Sequence, residues 1–174
     1  MADPTTTTTT TTTAAPVVTT FGLQILTPLT KTDRVSRQMN PVTFVATPGI
    51  WAMLNNDGTI SNVVADTPAL INKLVIGSRS GNKYESNDTS HGRITTMESI
   101  GIRCRVSNNL YSGTINKGDQ LIVSTDALTL GQLVSVAETS ETGWYEVVAR
   151  CEEINDIQGY MIFRTVSPEL VHLT

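Results

Sequence analysis

Apolar residues recur with a period of two through much of the second half of the chain. Ile100, Ile102, Cys104 and Val106 alternate with Gly101, Arg103 and Arg105. A period of two is the mark of a strand with one buried face. It predicts those four side chains in a core, with Arg103 and Arg105 outward, because a guanidinium is costly to bury without partners. Five strand-like runs follow one another after position 93: RITTMESIGIRCRVSNN, DQLIVSTD, GQLVSVAETS, WYEVVARCEEIN and GYMIFRTVS. Asn-Asn, Lys117-Gly118-Asp119, Gly131, Thr142-Gly143 and Gln158-Gly159 punctuate them. Earlier, GIWAMLN and TISNVVA flank Asp57-Gly58, a dipeptide suited to a turn with positive φ, which signals a hairpin. Thr67-Pro68 has the form of a helix start, but the run LINKLVIGS reads equally as a strand. SRSGNKYESNDTSHG, residues 78–92, is almost wholly polar and reads as a long exposed loop. No long amphipathic helix competes. The pattern therefore predicts a mainly β fold, a compact β-sandwich or small β-barrel body over 44–174.

Ahead of that body the pattern fades. Residues 1–20 hold nine consecutive threonines, 5–13, one charge at Asp3, and only scattered small apolar side chains. Such a segment cannot bury enough surface to offset the entropy of ordering itself, and β-branched threonine favours extended backbone. It reads as an extended N-terminal arm. At about 3.1 Å per residue it reaches roughly 60 Å, enough to touch a neighbouring subunit. Residues 21–43 read as an extended linker or anchor, broken by Pro28 and Pro41. Its dense apolar run, Phe21, Leu23, Ile25, Leu26 and Leu29, is either an anchor on a partner or an ordinary first strand of the body.

A net charge of −4 and a pI near 5.1 argue against binding nucleic-acid phosphates. No apolar window has the length of a membrane span, and the N-terminus lacks the pattern of a secretory signal. The expectation is a protein made in a cytoplasm and kept or assembled there. Cys104 and Cys151 have no metal-site spacing; they read as two buried free thiols, with a late-forming disulfide as the alternative.

The order KGDQLIVSTD–ALTLGQLVSVAE–WYEVVARCEEIN–GYMIFRTV, over residues 117–166, resembles the β-rich head decoration, or cement, proteins of tailed bacteriophages. The resemblance rests on a Gly-Asp step into an apolar strand and a VVA-x-x-E strand. The Thr tract, residues 21–47 and the loop 78–92 depart from that pattern. The resemblance implies a virion protein at the capsid surface, the major capsid protein as partner, neighbouring copies in a homo-oligomer such as a trimer, and no catalysis.

The residues themselves lead the same way. His91 and His172 are the two histidines, and no nucleophile elbow, P-loop, dinucleotide fingerprint, zincin or EF-hand spacing occurs. We expect no enzyme activity, cofactor or metal. Glu85 with Asp88, and Glu152-Glu153 with Asp156, are acidic clusters read as solvated rather than cation-binding. Asn87-Asp88-Thr89 spells a sequon by chance. Trp51, Trp144 and Tyr145 divide between core and interface. The candidate partner-binding residues are Thr5, Thr9, Thr13, Val17, Phe21, Leu23, Ile25 and Leu26. The alternative function is a virion fibre or tail-associated adhesion protein, with the Thr tract as its stalk.

Overall fold

The computed structural model describes residues 22–40, 48–67, 71–76, 78–80, 83–85 and 93–174. Among these residues the fold is mainly β, with two antiparallel sheets facing each other and no α-helix. The six-stranded sheet has the order β1 (Leu23–Ile25), β9 (Arg103–Ser107), β13 (Tyr160–Leu173), β12 (Gly143–Asn155), β10 (Gln120–Val123), β11 (Leu133–Ser135). The five-stranded sheet runs β2 (Arg34–Gln38), β8 (Arg93–Met97), β5 (Asn72–Val75), β3 (Trp51–Leu54), β4 (Ile60–Ser61). Two short strands, β6 (Ser78–Ser80) and β7 (Lys83–Glu85), pair with each other inside the segment expected to be one polar loop.

Alternation along each strand builds the core between the sheets. Trp51, Leu74 and Met97 from one sheet meet Cys104, Val106, Leu121, Met161 and Phe163 from the other. Trp51 and Phe163 approach across the gap with ring centroids 6.4 Å apart. Smaller apolar clusters contain the alternate residues: Ala52, Ile60, Val75 and Ile94 in one, Ile122, Val134, Tyr145 and Val147 in the other. Burial on both faces is why Leu74-Val75-Ile76, at the end of β5, and Leu121-Ile122-Val123, in β10, read as continuous apolar runs.

Two earlier expectations change. Ile100 is not a core residue; it is 60% exposed. The period-two pattern is real from Ile102 onward, but Gly101 with φ +78° turns the chain just before the strand, and Ile100 lies on the far side of that turn. Arg103 and Arg105 are half-exposed, Arg103 against Glu152 and Arg105 with its guanidinium 4.0 Å from the Tyr160 ring centroid. The second change concerns 21–43. Leu23, Gln24 and Ile25 pair with Val106, Arg105 and Cys104, and β2 pairs with β8, so this segment supplies a strand to each sheet. The sheets thus begin well before residue 44. The hairpin at Asp57-Gly58 forms as expected, with Thr59 N donating to Asp57 Oδ1 at 2.9 Å. LINKLVIGS adopts its strand alternative as β5, and Thr67 sits in an isolated bridge with Val64.

The long β12–β13 ladder is bent by two register shifts. Between Val147 and Ala149, one residue of β12 faces three of β13, among them Pro168. Proline has no N–H to give to a ladder, so an irregular step is where it fits. The second shift leaves Glu152 as the extra residue of β12, where its carboxylate takes Arg103 Nε at 2.5 Å and Arg164 Nε at 2.6 Å.

Candidate functional site

The two sheets separate at the end of the sandwich where β13 runs past Arg164. There, a cleft of about 70 Å³ opens, lined by Trp51, Asn72, Lys73, Glu98, Glu146, Val148 and Pro168 among others. That volume suits a few waters or one inserted side chain; drug-sized ligands need several hundred Å³. Glu146 is buried in it and accepts from the Asn72 backbone N–H at 2.6 Å and from Asn72 Nδ2 at 3.1 Å. Burial pushes the Glu146 carboxyl above its ordinary range, against the opposing pull of the two Asn72 bonds and Lys73. Glu98, nearby, accepts from Arg37 and Lys73 at 2.9 Å each and from Thr96 Oγ1 at 2.9 Å. Burial raises its pKa too, but those charge-assisted bonds outweigh it and hold the group below the usual value. Trp51 Nε1 is buried at the cleft with no hydrogen-bond partner among the described residues.

Beyond the cleft the rim is apolar and exposed. Trp144 is 55% exposed and Leu170 53%. The register sets Trp144 opposite His172 and Glu146 opposite Leu170. Alternation puts all four on one face of the ladder, and the Trp144 and His172 rings lie 4.9 Å apart. Past the irregular step at residues 166–168, Glu169–Leu173 of β13 pair with β12 on one side, and from residue 166 on β13 has, among the described residues, no strand on the other side. This is an open sheet edge beside an exposed aromatic.

A second polar cluster fastens the segment after β11. Glu141 accepts from Ser124 Oγ at 2.5 Å, Thr125 N–H at 2.9 Å and Thr125 Oγ1 at 2.8 Å, while Tyr145 Oη shares a 2.9 Å bond with Thr125 Oγ1. Burial lifts the Tyr145 phenol to about 12, so it remains a neutral hydroxyl. The carboxylate is committed to these bonds, and the cluster acts as a clasp.

The sequence candidates fall into three groups. Thr5, Thr9, Thr13, Val17 and Phe21 lie outside the described residues, as do His91 and the sequon. Leu23 and Ile25 pack on the central core, whereas Leu26 is half-exposed just after β1. Trp51 and Tyr145 are core residues and Trp144 is at the surface. Glu152 and Glu153 are engaged by Arg103, Arg164 and the Tyr160 hydroxyl, so that acidic cluster is a set of ion pairs and hydrogen bonds. No group of three or more metal-ligating side chains occurs among the described residues, and no helix there is long and apolar enough to cross a membrane. Cys104 and Cys151 are buried and free. Both register with Phe163 from opposite sides, which places them two strands, about 10 Å, apart; a disulfide cannot span that. Burial raises the thiols to about 12 and about 11, so both stay protonated and unreactive near neutrality.

The sequence left Trp144 open as an interface residue but did not reveal the open edge of β13 or Leu170 beside it. Strand neighbours decide which stretch is left uncovered, and they are set by pairings far apart in the chain. Compared with known proteins, the chain matches no family model, no curated protein and no solved structure.

Proposed function

We propose that this chain is a structural virion protein, a cement or decoration protein that binds the head shell of a tailed bacteriophage and acts by contacts rather than by catalysis. One observation carries the reading. Residues 117–166, which resemble that family, fold into consecutive neighbours β11, β10, β12 and the first half of β13 in one sheet, and β13 continues past them into the open edge beside the exposed apolar rim. Exposed edges and apolar patches of this kind serve partner binding. The partners are the major capsid protein and neighbouring copies of this chain, at the capsid surface. Each contact needs only a few kcal/mol, because symmetry repeats it over the shell.

The test is particle stability. Heads lacking this chain should release their genome at lower temperature than complete heads, and adding the purified chain should restore the difference. Identical release with and without it sinks the cementing role. In that case, presence of the chain at a fixed ratio in fibres or tails would favour the adhesion reading.

A further inference from the structure

We propose that the threonine-rich arm of one copy docks as an added strand on the open edge of β13 in a neighbouring copy. The inference rests on the reading above, in which copies sit side by side, and adds which surface receives the arm. Three observations support it. First, β13 runs on past β9 with no strand on its outer side among the described residues, and the regularly paired part of this open edge, Glu169–Leu173, is about 17 Å long at strand rise. Edges normally carry charge or other devices against further pairing. The bulge and Pro168 guard the near end of this edge, but Glu169–Leu173 beyond them carries one carboxylate and exposes Leu170 beside Trp144, whereas the β2 edge has Arg34 and Arg37.

Second, the arm suits the place. Residues 5–13 are all threonine, uncharged and β-branched, so a strand is the regular structure they favour. Nothing in the tract needs desolvating as a charge, and its backbone N–H and C=O groups supply the ladder. Residues 1–21, fully extended, span roughly 70 Å.

Third, the chain direction assigns the edge to a neighbour. Leu23 registers with Val106, and Val106 registers with Met161. Ser107 N–H donates to Gly22 O at 3.1 Å, so going upstream from β1 the chain heads toward the Tyr160 end of β13. The open stretch begins at the opposite end, past Arg164, where β9 stops. In its own copy the arm would have to double back along the sheet. In an array of copies it simply continues outward.

The uniform tract has a consequence. Register on an edge is fixed by side-chain pattern, and nine identical residues leave it degenerate in steps of two. The arm can shift along the edge and still pair, which lets one contact serve shell sites of unequal spacing.

The experiment uses full-length chains. Thr9→Cys chains are mixed with Glu169→Cys chains and oxidised, and covalent dimers are measured by mass. The native thiols are buried and do not compete. As a control, Leu128→Cys places a thiol on a side chain that is 92% exposed, in the turn beyond β10. A docked arm should give heterodimers with Glu169→Cys in about tenfold excess over Leu128→Cys, since docking raises the local thiol concentration. Thr7→Cys and Thr11→Cys should react as well as Thr9→Cys. Equal yields at Glu169 and Leu128, or no dimer, overturn the docking site. A chain carrying both cysteines that closes on itself at high dilution overturns the neighbour assignment. Shell occupancy, measured separately, tells this failure from failure of the cementing role: heads that bind the chain normally while no crosslink forms would leave only the arm's route wrong.

Discussion

Glu146 and Glu98 lie in the same cleft, and their surroundings shift them in opposite directions. Glu146 is raised by burial, so the folded state holds its proton more tightly than the unfolded chain does. Its contribution to stability is complete below the unfolded carboxylate value and is lost as pH rises through the raised one. Glu98 is net lowered by Lys73, Thr96 and Arg37; its contribution is present above the unfolded value and lost as pH falls through the lowered one. Glu146→Gln, which keeps an oxygen for the Asn72 donors, should therefore melt close to the parent at about pH 4 and above it at about pH 8. A gap that stays constant between the two would show that Glu146 does not titrate differently on folding. Backbone constraint operates at the same scale. Gly131 has φ +77°, and a Cβ there would meet Ile50 Cγ1 at 2.9 Å and the Trp51 carbonyl oxygen at 3.1 Å. Trp51 N–H donates to Gly131 O at 3.1 Å, tying β3 to the entry of β11. Gly131→Ala should cost about 1–3 kcal/mol, read as a lower denaturant midpoint.

Among the elements, β1 shows how far the sequence could be read. An apolar run at Leu23, Ile25 and Leu26 left strand and anchor equally open, because both need buried apolar side chains. What separates them is pairing with β9, some eighty positions away, and no local pattern encodes it. Since Leu23 and Ile25 pack on the central core, Leu23→Ala should lower the stability of the isolated protein by about 2–3 kcal/mol, at the low end for a partly buried site. Unchanged melting with lost particle binding would return the segment to the anchor role. The strands β9, β10, β12 and β13 were legible because alternation and glycine-bearing turns mark them directly. Their irregularities were not. Ile100 obeys the period of two in sequence yet leaves it in space, because the turn at Gly101 intervenes. The bulge at Glu152 was hidden too, since Glu152-Glu153 in sequence looks like a solvated acidic pair and only the extra residue in the ladder aims one carboxylate at two arginines.

Across the whole molecule, the central core draws on both sheets, so neither can lose its partner without exposing the same side chains. Unfolding should then be a single cooperative step. The two tryptophans make this measurable, because Trp51 is buried against Phe163 while Trp144 is already open to water. In a Trp144→Phe background, Trp51 fluorescence and far-ultraviolet dichroism should change at one denaturant midpoint. Phe163→Ala, which empties the contact between the sheets, should lower both together by about 3–5 kcal/mol. Separate midpoints would mean that the sheets unfold independently. A sandwich that holds itself together in this way leaves its long open edge free for partners, and removal of residues 1–20 should then shift the midpoint by less than about 1 kcal/mol. The same truncation should lower the chain's occupancy on heads, since the body keeps its core and loses only the segment that reaches. A truncated chain that fails to fold would instead make the arm part of the body's own stability, and the division of labour between a rigid sandwich and a reaching strand would not hold.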